Sequence, residues 1–108
     1  MDRTVSPDKV AAILNDLKPM TLLDVRRAPD VDADPVSIPG AVWRDPNKVD
    51  EWAGEIPKDR PLVVYCVRGG SVSNAVLDTL LEKGVSAQFI EGGLAAWKAS
   101  GKKVVDQK

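Results

Sequence analysis

The chain has no histidine and only one cysteine in 108 residues. The first absence excludes Cys–His and Ser–His catalysis within the chain, because no imidazole is present to take a proton from the nucleophile. The two together exclude a structural zinc site built from cysteine and histidine, and no metal or other cofactor is expected. A single cysteine also rules out an internal disulfide and suits a reducing compartment, so a cytoplasmic location is expected. No apolar run approaches the roughly 20 residues of a membrane-spanning helix. Residues 1–7 lack the apolar stretch of a secretory leader, and none is expected. Lys and Arg number 15 against 16 Asp and Glu, a net charge of -1. The two signs are mixed along the chain, which leaves no basic footprint for nucleic acid or an anionic membrane.

What is present reads as one domain over residues 1–108, with its core within about 5–101 and a loose tail over 102–108. Ser6-Pro7-Asp8 is a helix start: a serine cap, a proline at the first helical position, then an acidic residue favoured by the dipole. Val10, Ile13, Leu14 and Leu17 follow at helical spacing as one buried stripe, closed by Pro19. Thr21 to Val25 and Leu62 to Tyr65 are short apolar runs of the kind buried on both sheet faces. Residues 27–39 read as a long polar connection with three prolines. Asp45-Pro46 opens a second helix with Val49 and Trp52 as its apolar contacts, and Ser71 begins a third that Gly84 stops. On that third helix Val72, Val76 and Leu80 share a face with Ala75 and Thr79, opposite the polar Ser73, Asn74 and Asp78. Ala87 to Ile90 is a further strand, and Gly92-Gly93 turns into a last helix through Trp97. Alternating helices and apolar strands argue an α/β fold whose parallel sheet is covered on both faces. Active crevices of such sheets lie beyond the carboxyl ends of the strands. Cys66, the Asp24/Arg26 pair and the Glu91-Gly92-Gly93 turn all fall at such ends.

Cys66 ends the strand Leu62 to Tyr65 and precedes Val67-Arg68-Gly69-Gly70-Ser71, the turn into a helix. Successive N–H groups of that turn can form an anion-binding nest, and the helix adds the positive end of its dipole. Arg68 supplies a cation two residues from the sulfur if it folds back over the loop. Gly69 and Gly70 suit a loop that needs positive φ. These groups favour an anionic, nucleophilic sulfur. The plain alternative is a small buried hydrophobe at a strand end.

Four segments, in order, give the chain a family likeness. Leu22-Leu23-Asp24-Val25-Arg26, Ile38-Pro39-Gly40-Ala41, Val63 through Ser71 and Glu91-Gly92-Gly93-Leu94-Ala95-Ala96-Trp97 resemble the signatures of the rhodanese, or sulfurtransferase, family. The resemblance implies a three-layer α/β/α domain with a five-stranded parallel sheet. It also implies a catalytic Cys66 that accepts sulfane sulfur from a thiosulfate-like donor. The persulfide then passes its sulfur to a thiol, such as glutathione or thioredoxin, or to cyanide. Val67, Arg68, Gly69, Gly70 and Ser71 become the loop that cradles the outer sulfur, with Arg68 placed to hold the donor's sulfonate. Ser71 either donates to the sulfur or caps the helix. Asp24 and Arg26 resemble positions that brace the active loop, the alternative being a partly exposed charge pair.

The chain departs from the family pattern in three places. Ser37 stands where histidine is frequent, residues 27–37 are longer and more acidic, and Ser71 replaces an arginine five positions after the cysteine. The turn from Ile38 to Pro46 and the Tyr65-Cys66-Val67 loop entry are similar to single-domain rhodaneses associated with chromate resistance. Two other classes compete. A phosphatase or an arsenate- or chromate-reducing enzyme needs an arginine clamp where Val72 stands, or a second thiol this chain lacks. A catalytically silent interaction module is the third class. Trp97 and Trp52 read as core, and Trp43 as core or pocket wall. A calcium loop at Asp30, Asp32 and Asp34 is discounted, because Pro29 and Pro35 interrupt it and its terminal glutamate is missing.

Overall fold

The computed structural model describes residues 3–106. In chain order its elements are β1 (Thr4–Val5), α1 (Pro7–Asn15), β2 (Thr21–Asp24), α2 (Ala28–Ala33), β3 (Val36–Ser37), β4 (Val42–Trp43) and α3 (Val49–Trp52). Then come β5 (Leu62–Tyr65), α4 (Ser71–Glu82), β6 (Gln88–Ile90), α5 (Gly93–Ala99) and β7 (Val105–Asp106). Five strands form a sheet in the order β1-β6-β5-β2-β4, and all neighbours run parallel.

Strand periodicity splits the core into two layers. Leu23, Val64 and Phe89 point to one face, where Val76, Leu77 and Leu80 of α4 and Val49 and Trp52 of α3 cover them. Leu22, Val63, Tyr65 and Ile90 point to the other, under Val10 of α1 and Leu94 and Trp97 of α5. The result is the expected three-layer α/β/α arrangement. Each fully buried aliphatic side chain contributes about 1.5–3 kcal/mol by leaving water, so both faces need their helices. Among the described residues no helix is long and apolar enough to cross a membrane.

The α1 start follows the sequence: the Ser6 side chain accepts from the Lys9 N–H at 3.1 Å, and Pro7 occupies the first turn. Its end does not. The helix stops at Asn15, and Lys18 and Leu17 donate to the Ile13 and Leu14 carbonyls at 3.1 and 3.2 Å. This double closure places Leu17 in the left-handed region, with φ 54, and leaves its side chain 90% exposed. The apolar stripe therefore ends at Leu14.

The stretch expected to be a polar connection over 27–39 contains α2 and β3. The tail expected to be loose is paired as far as Asp106. Val105 and Asp106 run antiparallel to Ser37 and Val36, and the Trp97 indole N–H donates to the Lys103 carbonyl at 2.8 Å. Lys102 adds an ion pair with Asp8 at 2.7 Å. Residues 107 and 108 lie outside the described residues. The phase of α4 also differs from expectation: Ser73, Val76, Leu77 and Leu80 are its buried residues, and Ala75 is exposed. The Ser73 hydroxyl has no hydrogen-bond partner among the described residues.

Candidate active site

The carboxyl ends of β2, β5 and β6 lie side by side, because Asp24 pairs with Tyr65 and Val64 with Phe89. Cys66 follows β5 directly and is buried, at 4% exposed. The loop behind it is fixed from the side of α5. Leu94 and Ala95 donate their N–H groups to the Cys66 and Val67 carbonyls, each at 2.9 Å. In a trans peptide the carbonyl and the following N–H point opposite ways. These bonds therefore turn the Val67 and Arg68 N–H groups away from α5. Among the described residues, none of the N–H groups from Val67 to Ser73 donates to a protein acceptor. Several of these are the orphan donors of a helix N-terminus, an arrangement that suits an anion.

Gly69 supplies the positive φ that the turn needs, at 69. Gly70 does not: its φ is -98, and it serves as the N-cap of α4 without a side chain. Ser71 is therefore the first helical residue and is exposed, which removes the capping reading of its hydroxyl. Gly93 is the glycine on which the loop depends most closely. Its φ is 60, and a β-carbon there would lie 2.5 Å from the Cys66 carbonyl oxygen and 2.7 Å from the Gly69 nitrogen.

Asp24 and Arg26 are fully buried, which overturns the reading of a partly exposed pair. The Arg26 guanidinium meets the Asp24 carboxylate through Nε at 3.0 Å and through a terminal nitrogen at 2.7 Å. Its remaining donors reach the Asp34 and Val36 carbonyls at 2.9 and 2.7 Å. Burial pulls the Arg26 guanidinium down, but the hydrogen bonds and charge of Asp24 outweigh it and hold the group above its ordinary value. The pair thus fastens the segment from α2 to β3 to the end of β2. The Tyr65 hydroxyl accepts from the Ile38 N–H at 3.2 Å. Burial, then the nearby Asp24 charge, pushes that phenol well above its ordinary range.

A cleft of about 240 Å³ opens over Cys66. Val67, Arg68, Gly70, Ser71 and Val72 line it, and so does Asp30 of α2. A second cleft of about 280 Å³ continues past Asp30 and Arg68 towards Asp34 and Lys98. Of the loop residues expected from the sequence, Val67, Arg68, Gly70 and Ser71 line the cleft with Cys66 and Gly69 does not, while Asp24 is buried and Arg26 lines the second cleft. Asp30, considered in the sequence only as a calcium ligand and discounted, lines both clefts. Its signal was Pro29-Asp30, the same proline–acid start that marked α1. Trp43 is half-buried and donates its indole N–H to the Arg26 carbonyl at 2.9 Å. Trp52 and Trp97 are core.

Residues 6–100 match the family model described as a rhodanese-like domain. A sulfurtransferase from Allochromatium vinosum is 27% identical over 97% of this chain and 96% of its own length. A tRNA sulfurtransferase from Desulfurococcus amylolyticus is 35% identical over 72% of this chain, which spans only 15% of that protein. Among solved structures, a rhodanese-like domain protein from Staphylococcus aureus superposes with a TM-score of 0.82 at 24% identity, covering 100% of this chain and 99% of that one. At that identity the likeness concerns the fold alone.

Proposed function

Because the chain belongs to the rhodanese-like family, we propose that it is a sulfurtransferase with Cys66 as its sulfur carrier. The observation that carries this reading is a buried cysteine at the end of β5, followed by a loop of amide donors that have no protein acceptor among the described residues. In the first half-reaction the Cys66 thiolate attacks the outer sulfur of thiosulfate or a similar donor. The donor's S–S bond breaks, and its electron pair leaves with sulfite. The loop N–H groups, Val67 through Ser71, hold the transferred sulfur as a persulfide anion, and Arg68 faces the departing sulfonate. In the second half-reaction a thiol, glutathione or thioredoxin among them, or cyanide removes the sulfur and restores the thiolate. Asp24 and Arg26 support the site by fixing α2 and β3. A phosphatase mechanism finds no support, because Val72 cannot clamp an oxyanion as an arginine does.

Mass spectrometry of the protein after incubation with thiosulfate tests the proposal. One added sulfur on Cys66, lost on adding a thiol, is the expected result. Cys66→Ala should fold normally and transfer nothing. Retained transfer in that variant, or an unmodified Cys66, favours a binding module instead.

A further inference from the structure

The mouth of the Cys66 cleft carries two charged side chains that the proposed chemistry uses unequally. Arg68 and Asp30 both line the cleft over the sulfur, and both also line its continuation. Neither side chain has an ion-pair or hydrogen-bond partner among the described residues. Their neighbours are neutralised. Arg26 is held by Asp24, and Asp34 pairs with Lys98 at 2.7 Å. Asp30 is half-buried on α2, and that helix is fastened by the Arg26 bonds to the Asp34 and Val36 carbonyls. Its carboxylate is thus kept at the opening.

A fixed carboxylate there repels an oxyanion donor, which Arg68 must offset, and attracts a cation. In a double displacement the two substrates pass the same mouth in turn. The acceptor is the one that a negative charge can serve. We infer that Asp30 selects an aminothiol as sulfur acceptor, its ammonium facing the Asp30 carboxylate while its sulfur reaches the Cys66 persulfide. The inference rests on the sulfurtransferase reading. The acceptor thiolate attacks the outer sulfur, a new S–S bond forms, and the bond to Cys66 Sγ breaks. The electron pair of the broken bond returns to Sγ as thiolate, and the acceptor leaves as a persulfide. No external oxidant or reductant is involved.

The test uses single-turnover discharge of the sulfur-loaded protein by cysteamine, 2-mercaptoethanol and 3-mercaptopropionate, each rate corrected for the acceptor's own thiolate fraction. The wild type should favour cysteamine over mercaptopropionate, and Asp30→Asn should shrink that preference by about threefold or more, the scale of one partly solvated charge interaction. Asp32→Asn removes the same charge from the exposed side of α2, away from both clefts, and should keep the wild-type preference. A second readout needs no transfer activity. It is the ratio of Cys66 modification rates by 2-aminoethyl and 2-sulfonatoethyl methanethiosulfonate, and it should fall by a similar factor in Asp30→Asn. If Cys66 loads sulfur but both ratios are unchanged in Asp30→Asn, charge selection is overturned and the sulfurtransferase reading stands. If Cys66 never loads while the reagent ratio shifts, the sulfurtransferase reading fails and the aminothiol assignment falls with it. A charge-selective mouth would then be all that remains.

Discussion

Replacing Gly93 by alanine tests whether α5 holds the active loop in place. Two costs combine at this position. A residue with a β-carbon at φ 60 pays about 1–2 kcal/mol for the left-handed conformation. The added methyl would also sit 2.5 Å from the Cys66 carbonyl oxygen, 2.7 Å from the Gly69 nitrogen and 2.8 Å from the Arg68 nitrogen. All three are backbone atoms, so no side chain can swing aside, and overpacking of this kind costs about 1–3 kcal/mol. The expected loss is therefore roughly 2–5 kcal/mol. Gly40→Ala provides the comparison, because Gly40 has a φ of 87 and open space around its α-carbon. It should show the backbone cost alone. Urea unfolding of both variants gives the difference, and sulfur loading of Cys66 by rapid-quench mass spectrometry gives the functional consequence. A loop displaced by about 1 Å can slow loading on the order of 100-fold, whereas Gly40→Ala should load normally. If the two variants lose equal stability and load at equal rates, the contact between Gly93 and the loop does not control the site.

Leu17→Gly should stabilise the protein by about 1 kcal/mol, because glycine relieves the left-handed strain and the leucine side chain buries almost nothing; a denaturation midpoint that falls would contradict this. Asp24→Asn removes the counter-charge of a buried guanidinium and should cost about 3–5 kcal/mol, read from the same unfolding curves. Tyr65 is the single tyrosine, so its absorbance titration is unambiguous. Its folded pKa is raised, so the native state keeps a proton that the unfolded chain releases above about pH 10. Stability should be unaffected below that pH and fall as pH rises beyond it. The tyrosinate signal should then appear together with unfolding. Ionisation of a still-folded protein near the ordinary tyrosine pKa would refute the assignment.

Much of this architecture was legible because a few segments state their environment locally. Four consecutive apolar residues at Leu62–Tyr65 can only be buried on both faces, and the structure buries all four. Ser6-Pro7-Asp8 supplies its own cap. The failures share a different cause, since each was decided by a distant partner or a competing closure. Leu17 has the right spacing to be buried, but α1 ends at Asn15 and the closing bonds donated by Leu17 and Lys18 swing it outwards. The α2 segment is too short to be stable as an isolated helix. It is held by Arg26, whose donors reach carbonyls that spacing could not identify. The 102–106 segment is ordered by pairing with β3, about 70 residues away in sequence. On α4 the periodicity allowed two neighbouring phases, and the sheet chose the one that buries Ser73 and Leu77.

The two walls of the cleft are secured by unlike means, and this separates their roles. On one side backbone bonds from Leu94 and Ala95, with the bare α-carbon of Gly93, set the peptide orientations around Cys66. In the proposed mechanism no histidine acts as base, and those orientations are what the loop offers the transferred sulfur. On the other side a buried ion pair, Asp24 with Arg26, fixes α2 and therefore Asp30. Damage to the α5 side should reach the sulfur itself, slowing its uptake from any donor. Replacing Arg26 by methionine should instead loosen the helix that carries Asp30, and so change which acceptors are preferred. It also leaves Asp24 buried without its cation, so some stability is lost as well. The separation is sharpest in ratios. An Arg26→Met protein that loads sulfur slowly yet keeps the wild-type ranking of charged acceptors would show that α2 is held by something other than this guanidinium.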